Sequence, residues 1–258
     1  MRCAILLLAA CLAAVEAVPT PTIAAPPLDA GHAGFAPVLA LTVQPDGVDY
    51  AALRADRAGL DRYRVQLARA AMPSDRAETL ALFINAYNAC TLALVIDRLP
   101  ADRTAWSRWS IKDAGGLLTS VWKAYSYEVA GRRYTLDEME HAVLRPLGEP
   151  RIHVAINCAS RSCPPLTVEP FRAATLDAQL EAVTRAFVAS PHHLRLEGGE
   201  LHTNPILQWF AADFAAGGGV RAFLAARAPA GPLATALAGT TPIRYFTYDW
   251  SLNLAGVR

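Results

Sequence analysis

The chain has 258 residues, of which 53% are hydrophobic, and its 24 Lys and Arg against 23 Asp and Glu leave a formal net charge of +1. That length and apolar content suit one globular domain with a sizeable core. The near-balanced charge, with no Lys/Arg cluster to track phosphates, argues against a nucleic-acid partner.

Residues 1–17 read as an export signal: a basic start at Arg2, an apolar run from Cys3 to Val15, and a small-residue exit at Val15-Glu16-Ala17. The run is too short to span a bilayer, so no membrane span is expected there. Residues 18–33, opening on a Pro/Ala/Thr stretch, are expected to form a disordered leader, and 34–258 the single globular domain. A rival cleavage at Leu8-Ala9-Ala10-Cys11 resembles a lipobox and would leave a lipid anchor on Cys11; it ranks second because the apolar run before it is very short. Export predicts a periplasmic or secreted protein in an oxidising compartment, where exposed thiols are paired or at work. Removing the signal leaves Cys90, Cys158 and Cys163, so at least one is unpaired within the chain.

In chain order, Val48 to about Ala71 predicts two short amphipathic helices. Ser74 to Leu99 predicts a long helix with Ser74 as N-cap and Pro100 as stop. It is apolar on nearly every side, which suits a core or a membrane. Glu78, Asn85 and Asn88 argue for the core, because lipid offers buried amides no partners. Asn85 and Asn88 are three apart, share a face, and can orient a neighbouring loop together. Cys90, within the apolar run, reads as an inert packed thiol.

Tyr125 to Tyr134 predicts a hairpin turning at Gly131. Thr135-Leu136-Asp137-Glu138 reads as a capping box that opens a helix carrying Glu140 and His141 and ending before Pro146. From Arg151, alternation places Ile152, Val154 and Ile156 on one strand face and His153, Ala155 and Asn157 on the other. The strand is expected to stop at Cys158, in a polar loop closed by Pro164-Pro165. A helix over Leu176–Val188, a hairpin over Leu194–Leu201, a helix over Pro205–Phe214, an Ala-rich helical stretch and a strand over Ile243–Trp250 follow. His192, His193 and His202 flank the second hairpin as expected solvated surface. The order predicts an α+β, mostly helical single domain with a small, mainly antiparallel sheet.

Four ordered motifs resemble the domain-of-unknown-function family numbered 547. They are Phe83-Ile84-Asn85-Ala86-Tyr87-Asn88-Ala89, Tyr134-Thr135-Leu136 leading to Glu140-His141 and Leu144-Arg145, Arg151-Ile152-His153 through Cys163-Pro164-Pro165, and Tyr248-Asp249-Trp250-Ser251-Leu252-Asn253. The likeness runs from about Asp46 to Asn253; Phe83 stands where the family often has Trp. The resemblance implies a family found in exported bacterial proteins and, in plants, beside leucine-zipper segments, with no established activity.

The chemistry to be expected centres on Cys158 as a thiolate nucleophile in acyl transfer, or hydrolysis of an amide, peptide or thioester. His141 is the preferred base, with Asp137 at i−4 or Glu138 at i−3 to orient its ring. His153 is a second candidate, but on an extended strand about 16 Å would separate it from Cys158. Amides after Cys158, with Asn157 or Ser160, are expected to bind the developing oxyanion. Asn85, Asn88, Glu140, His153, Asn157, Ser160, Ser162 and Cys163 complete the expected pocket, with no cofactor and with an unidentified small molecule or peptide as partner.

Three other readings use the same residues. A structural Cys158–Cys163 disulfide would leave a non-catalytic binding or scaffold domain. Zinc held by Cys158, Cys163, His153 and His141 is a third reading, weakened by the lack of two close ligand pairs. Glu140 and His141 can also serve as a buried ionic pair holding Arg145 or Arg151.

Overall fold

The structure is a computed structural model describing residues 14–116 and 119–256. The expected signal and the rival lipid site fall on residues 1–13, or largely so, and to that extent lie outside the described residues, as do Cys3 and Cys11. The described residues fold as an α+β, mostly helical domain with three small sheets.

Four helices, α1 (Ala36–Thr42), α2 (Tyr50–Ala55), α3 (Ala58–Arg69) and α4 (Arg76–Arg98), build the first half. The two amphipathic helices predicted between Val48 and Ala71 are α2 and α3, with Asp49 capping α2 by accepting from the Ala51 and Ala52 amides. Every residue of α4 from Leu80 to Ile96 is buried. Each fully buried Leu, Ile, Val or Phe there stabilises by roughly 1.5–3 kcal/mol, which makes α4 the axis of the core. Among the described residues it is the one helix long and apolar enough to cross a membrane, and it lies inside the fold. Its N-cap is Asp75, one residue after the expected Ser74, because the Asp75 carboxylate reaches the Glu78 amide at 3.0 Å.

Strands β1 (Glu16–Ala17), β4 (Tyr125–Val129) and β5 (Arg132–Thr135) form one sheet, with β1 parallel and β5 antiparallel to β4. Within the segment read as a leader, the Val18 amide donates to the Ser126 carbonyl and Thr20 Oγ1 donates to Glu128. Strands β2 (Val43–Gln44) and β3 (Gly47–Val48) pair antiparallel; β6 (Leu194–Glu197), β7 (Glu200–Thr203) and β8 (Ile243–Tyr245) make the third sheet, with β8 parallel to β7.

Three local expectations change. Pro150–Val154 is a 3₁₀ helix, not a strand: Glu149 caps it through the Arg151 amide, Pro150 fixes its first turn, and Ile152, His153 and Val154 are all buried. The apparent alternation therefore came from a segment buried on every side. The C-terminal strand ends at Tyr245, because the chain then leaves β7 and hydrogen-bonds the cysteine loop, Asp249 donating its amide to Ser162 Oγ. His193 is buried, stacked on Phe187 at 4.4 Å, with Nδ1 3.2 Å from the Asn204 amide nitrogen.

Candidate active site

Helix α4 holds the loop that carries Cys158. Asn88 Nδ2 donates to the Ala155 carbonyl at 3.0 Å and its Oδ1 accepts the Asn157 amide at 2.8 Å. One helical turn earlier, Asn85 donates to the Phe171 carbonyl and accepts the Phe171 amide. The shared face predicted for the two asparagines is thus used to grip backbone, and neither side chain lines the cavity described below.

Asn157 then closes the loop on itself. Its Nδ2 donates to the Pro164 carbonyl at 2.6 Å and its Oδ1 accepts the Ala159 amide at 2.8 Å. Ala159 sits at φ 61°, a left-handed conformation that costs a non-glycine residue on the order of 1 kcal/mol and is held by that bond. Ser162 accepts the Asp249 amide at 2.8 Å and donates its own to the Asp249 carbonyl, stitching the C-terminal segment to the loop. Asn157 and the Ala159 amide are committed to the turn, so they are not free to bind an oxyanion as expected.

Cys158 borders a cavity of about 220 Å³ that Glu140, His141, His153 and Cys163 also line. Its Sγ lies 3.0 Å from Ser160 Oγ and 3.2 Å from the Tyr248 hydroxyl, and Ser160 donates to Tyr248 at 2.8 Å. The Cys158 amide donates to Cys163 Sγ at 2.9 Å. Hydrogen bonding from Cys163, then from Ser160 and Tyr248, pulls the Cys158 thiol down to about 6 against the opposing effect of burial. Burial and the neighbouring Cys158 push Cys163 well up. A thiolate at Cys158 is therefore supported by the Cys163 thiol, the Tyr248 hydroxyl and the Ser160 backbone amide rather than by a cation, the Ser160 hydroxyl proton being given to Tyr248.

All three cysteines among the described residues are free, so the Cys158–Cys163 bridge weighed from sequence is not formed. Cys90 is a buried thiol pushed up to about 12 by desolvation, in keeping with an inert packing role. Among the described residues, no three His, Cys, Asp or Glu side chains converge as a metal site, which leaves the zinc reading without a ligand set.

The helix opened by Thr135 has the expected capping box: Thr135 Oγ1 accepts the Glu138 amide, and Glu138 accepts the Thr135 amide at 2.7 Å. Glu138 is therefore the cap and does not orient His141. Six residues, Met139–Leu144, then run as a π-helix that brings Glu140 and His141 to the cavity. His141 Nδ1 meets Arg145 Nη1 at 2.9 Å and its Nε2 faces Asp137 Oδ1 at 3.7 Å. Burial lowers its basicity, and it makes no hydrogen bond to Cys158. The expected Cys158–His141 pair is not a direct contact; Asp137 does face the ring as the i−4 spacing predicted.

Glu140 is close enough to Cys158 to feel its charge, and His153 lines the same cavity. The 3₁₀ turn brings His153 to the same cavity as Cys158, which the 16 Å strand spacing would have prevented. His153 Nε2 meets Asp213 Oδ2 at 2.8 Å, Nδ1 faces Glu140 Oε1 at 3.7 Å, and Phe210 stacks on the ring at 3.9 Å. Burial pushes Glu140 up to about 8, helped by Cys158, and burial pushes His153 down to about 4. Asp213, which accepts from Nε and Nη2 of the Arg145 guanidinium, falls to about 2.

The outer cavity wall is aromatic. Trp209 and Trp250 stack at 5.7 Å, and Tyr248 and Trp122 lie against Trp250 at 4.4 and 5.6 Å. Sequence reading placed Tyr248 only in a motif and missed Asp213, a lone acid in an Ala-rich stretch with no local signal.

Residues 72–188 match the family model described as Protein of unknown function, DUF547. The match includes Asn85, Glu140, His153 and Cys158 and ends before Asp213 and Tyr248. No curated protein and no solved structure matches the chain.

Proposed function

We propose that this chain, which carries a DUF547 domain over residues 72–188, is a thiol-dependent hydrolase or acyltransferase acting on an amide, peptide or thioester. The observation that carries the reading is the Cys158 thiol, held by Ser160 and Tyr248 at the edge of a cavity that it shares with a largely protonated Glu140. The thiolate adds to the acyl carbon and the carbonyl oxygen takes the electron pair. Collapse of that intermediate breaks the bond to the leaving group, which takes the Glu140 proton. Water, or an acceptor amine, then attacks the thioester and returns a proton to Glu140, releasing Cys158 as thiolate. A neutral carboxyl in an apolar cavity suits this role, since it can donate at neutral pH.

The apolar run from Cys3 to Val15 supports an exported setting for the reaction. The test is iodoacetamide labelling of unreduced protein from pH 5 to 9, read by peptide mass spectrometry, beside hydrolysis of a panel of activated esters and thioesters. Fast labelling of Cys158 below pH 7 together with ester turnover lost in Cys158→Ala is the expected result. A Cys158 that labels like a model thiol would leave a binding pocket in place of an enzyme.

A further inference from the structure

His153 Nδ1 is fully buried and has no hydrogen-bond partner among the described residues, which is an unusual state for a polar atom in a cavity wall. The opposite nitrogen explains it. Asp213 is held as a carboxylate by Arg145 and accepts from Nε2. A neutral imidazole that donates through Nε2 has only a lone pair to offer at Nδ1. That lone pair faces Glu140 Oε1 at 3.7 Å, and a closure of under about 1 Å would make it a hydrogen bond. Phe210 stacked on the ring prevents it from rotating away.

We propose that Asp213 and His153 are positioning residues for Glu140: Asp213 fixes the His153 tautomer, and the Nδ1 lone pair facing Oε1 keeps the Glu140 proton on that oxygen until the leaving group takes it. The proposal rests on the reading of Glu140 as the acid in the thiol reaction. His153 stays neutral throughout, as its burial favours, and Arg145 balances the Asp213 carboxylate. The charged or titratable groups facing Glu140 are Cys158, Arg145, Asp137, Asp213, His153 and Tyr87; those facing His153 are Asp213, Glu140, Arg145 and His141.

The test uses the intact protein and two readouts. In the wild type, the rate of Cys158 alkylation against pH should show a lower inflection from the thiol and an upper one from Glu140. Asp213→Asn should move the upper inflection to lower pH by about one unit, because loss of the carboxylate leaves Arg145 unbalanced and weakens Nδ1 as an acceptor. An upper inflection that is absent in the wild type, or that stays in place in folded Asp213→Asn protein, overturns the proposal. The second readout is the ¹⁵N imidazole spectrum of wild-type His153, which decides the matter if the variant does not fold. The Nε2–H tautomer is expected across neutral pH, and an Nδ1–H tautomer overturns the proposal. If Cys158 fails to label at all, the nucleophile reading falls while the tautomer still tests the pair.

Discussion

The Tyr248 hydroxyl lies 3.2 Å from Cys158 Sγ, joining residues separated by 90 positions in the chain. Tyr248 also accepts from Ser160, so its own proton is free to point at sulfur. Tyr248→Phe removes that donor while keeping the ring. The labelling inflection of Cys158 should rise by about one pH unit, with alkylation at pH 6 slowed several-fold. An unchanged inflection would mean that the hydroxyl does not support the thiolate.

Glu140 makes a separate prediction about stability. Its folded-state pKa of about 8 exceeds the ordinary 4.5, so the folded protein binds this proton more tightly than the unfolded chain. The associated stability is complete below pH 4.5 and is lost as pH rises to about 8. Glu140→Gln should therefore be more stable than wild type at pH 8, by an amount on the order of 3 kcal/mol, and close to it at pH 4.5. Urea midpoints at the two pH values measure the difference; equal gaps at both would refute the raised pKa.

The buried histidines act in the opposite sense. Burial pushes His32, His153 and His193 down from 6.5 to about 4, so the unfolded chain binds more protons between those values. Stability should be complete above pH 6.5 and fall as pH drops towards 4. Glu140 slopes the other way between 4.5 and 8, but one group opposes three, and the net trend below 6.5 keeps its sign. Thermal midpoints at pH 7, 5.5 and 4.5 should decline in that order, and a flat profile would contradict the burial of these rings.

Asn88→Ala strips two bonds from the cysteine loop at once, leaving the Ala155 carbonyl and the Asn157 amide without their side-chain partners. A loss of about 2–4 kcal/mol is expected in chemical denaturation. Because Asn157 carries the turn around Cys158, rapid labelling of Cys158 below pH 7 should weaken in the same variant. Full stability would show that water replaces the amide.

Glu138→Ala separates capping from catalysis. The carboxylate serves the Thr135 amide, so stability should fall by about 1 kcal/mol while the Cys158 labelling profile stays as in wild type. A shifted labelling profile would restore Glu138 to the site.

The helices around Leu80–Ile96, both hairpins and the Thr135 capping box were legible because each is written in local terms: periodicity, a turn residue, a cap at fixed spacing. The Ile152–Ile156 alternation misled because a segment buried on all sides shows no solvent face for a period of two to mark. Cys158, Glu140, His141, His153 and Cys163 were nameable as residues, and the structure brings all five to one cavity. Their roles were not, since His141 looks like the natural base by spacing and is turned to Arg145.

From sequence alone came most of the helices, both hairpins, the Thr135 cap, the helical core and the short list of reactive side chains, all set by interactions within a few residues. Tertiary structure alone decided which reactive groups meet. Tyr248 and Asp213 reach Cys158 and His153 across 90 and 60 positions. Contacts so remote in the chain depend on how helices and loops pack, and packing leaves no mark at the spacing of one turn or one strand pair.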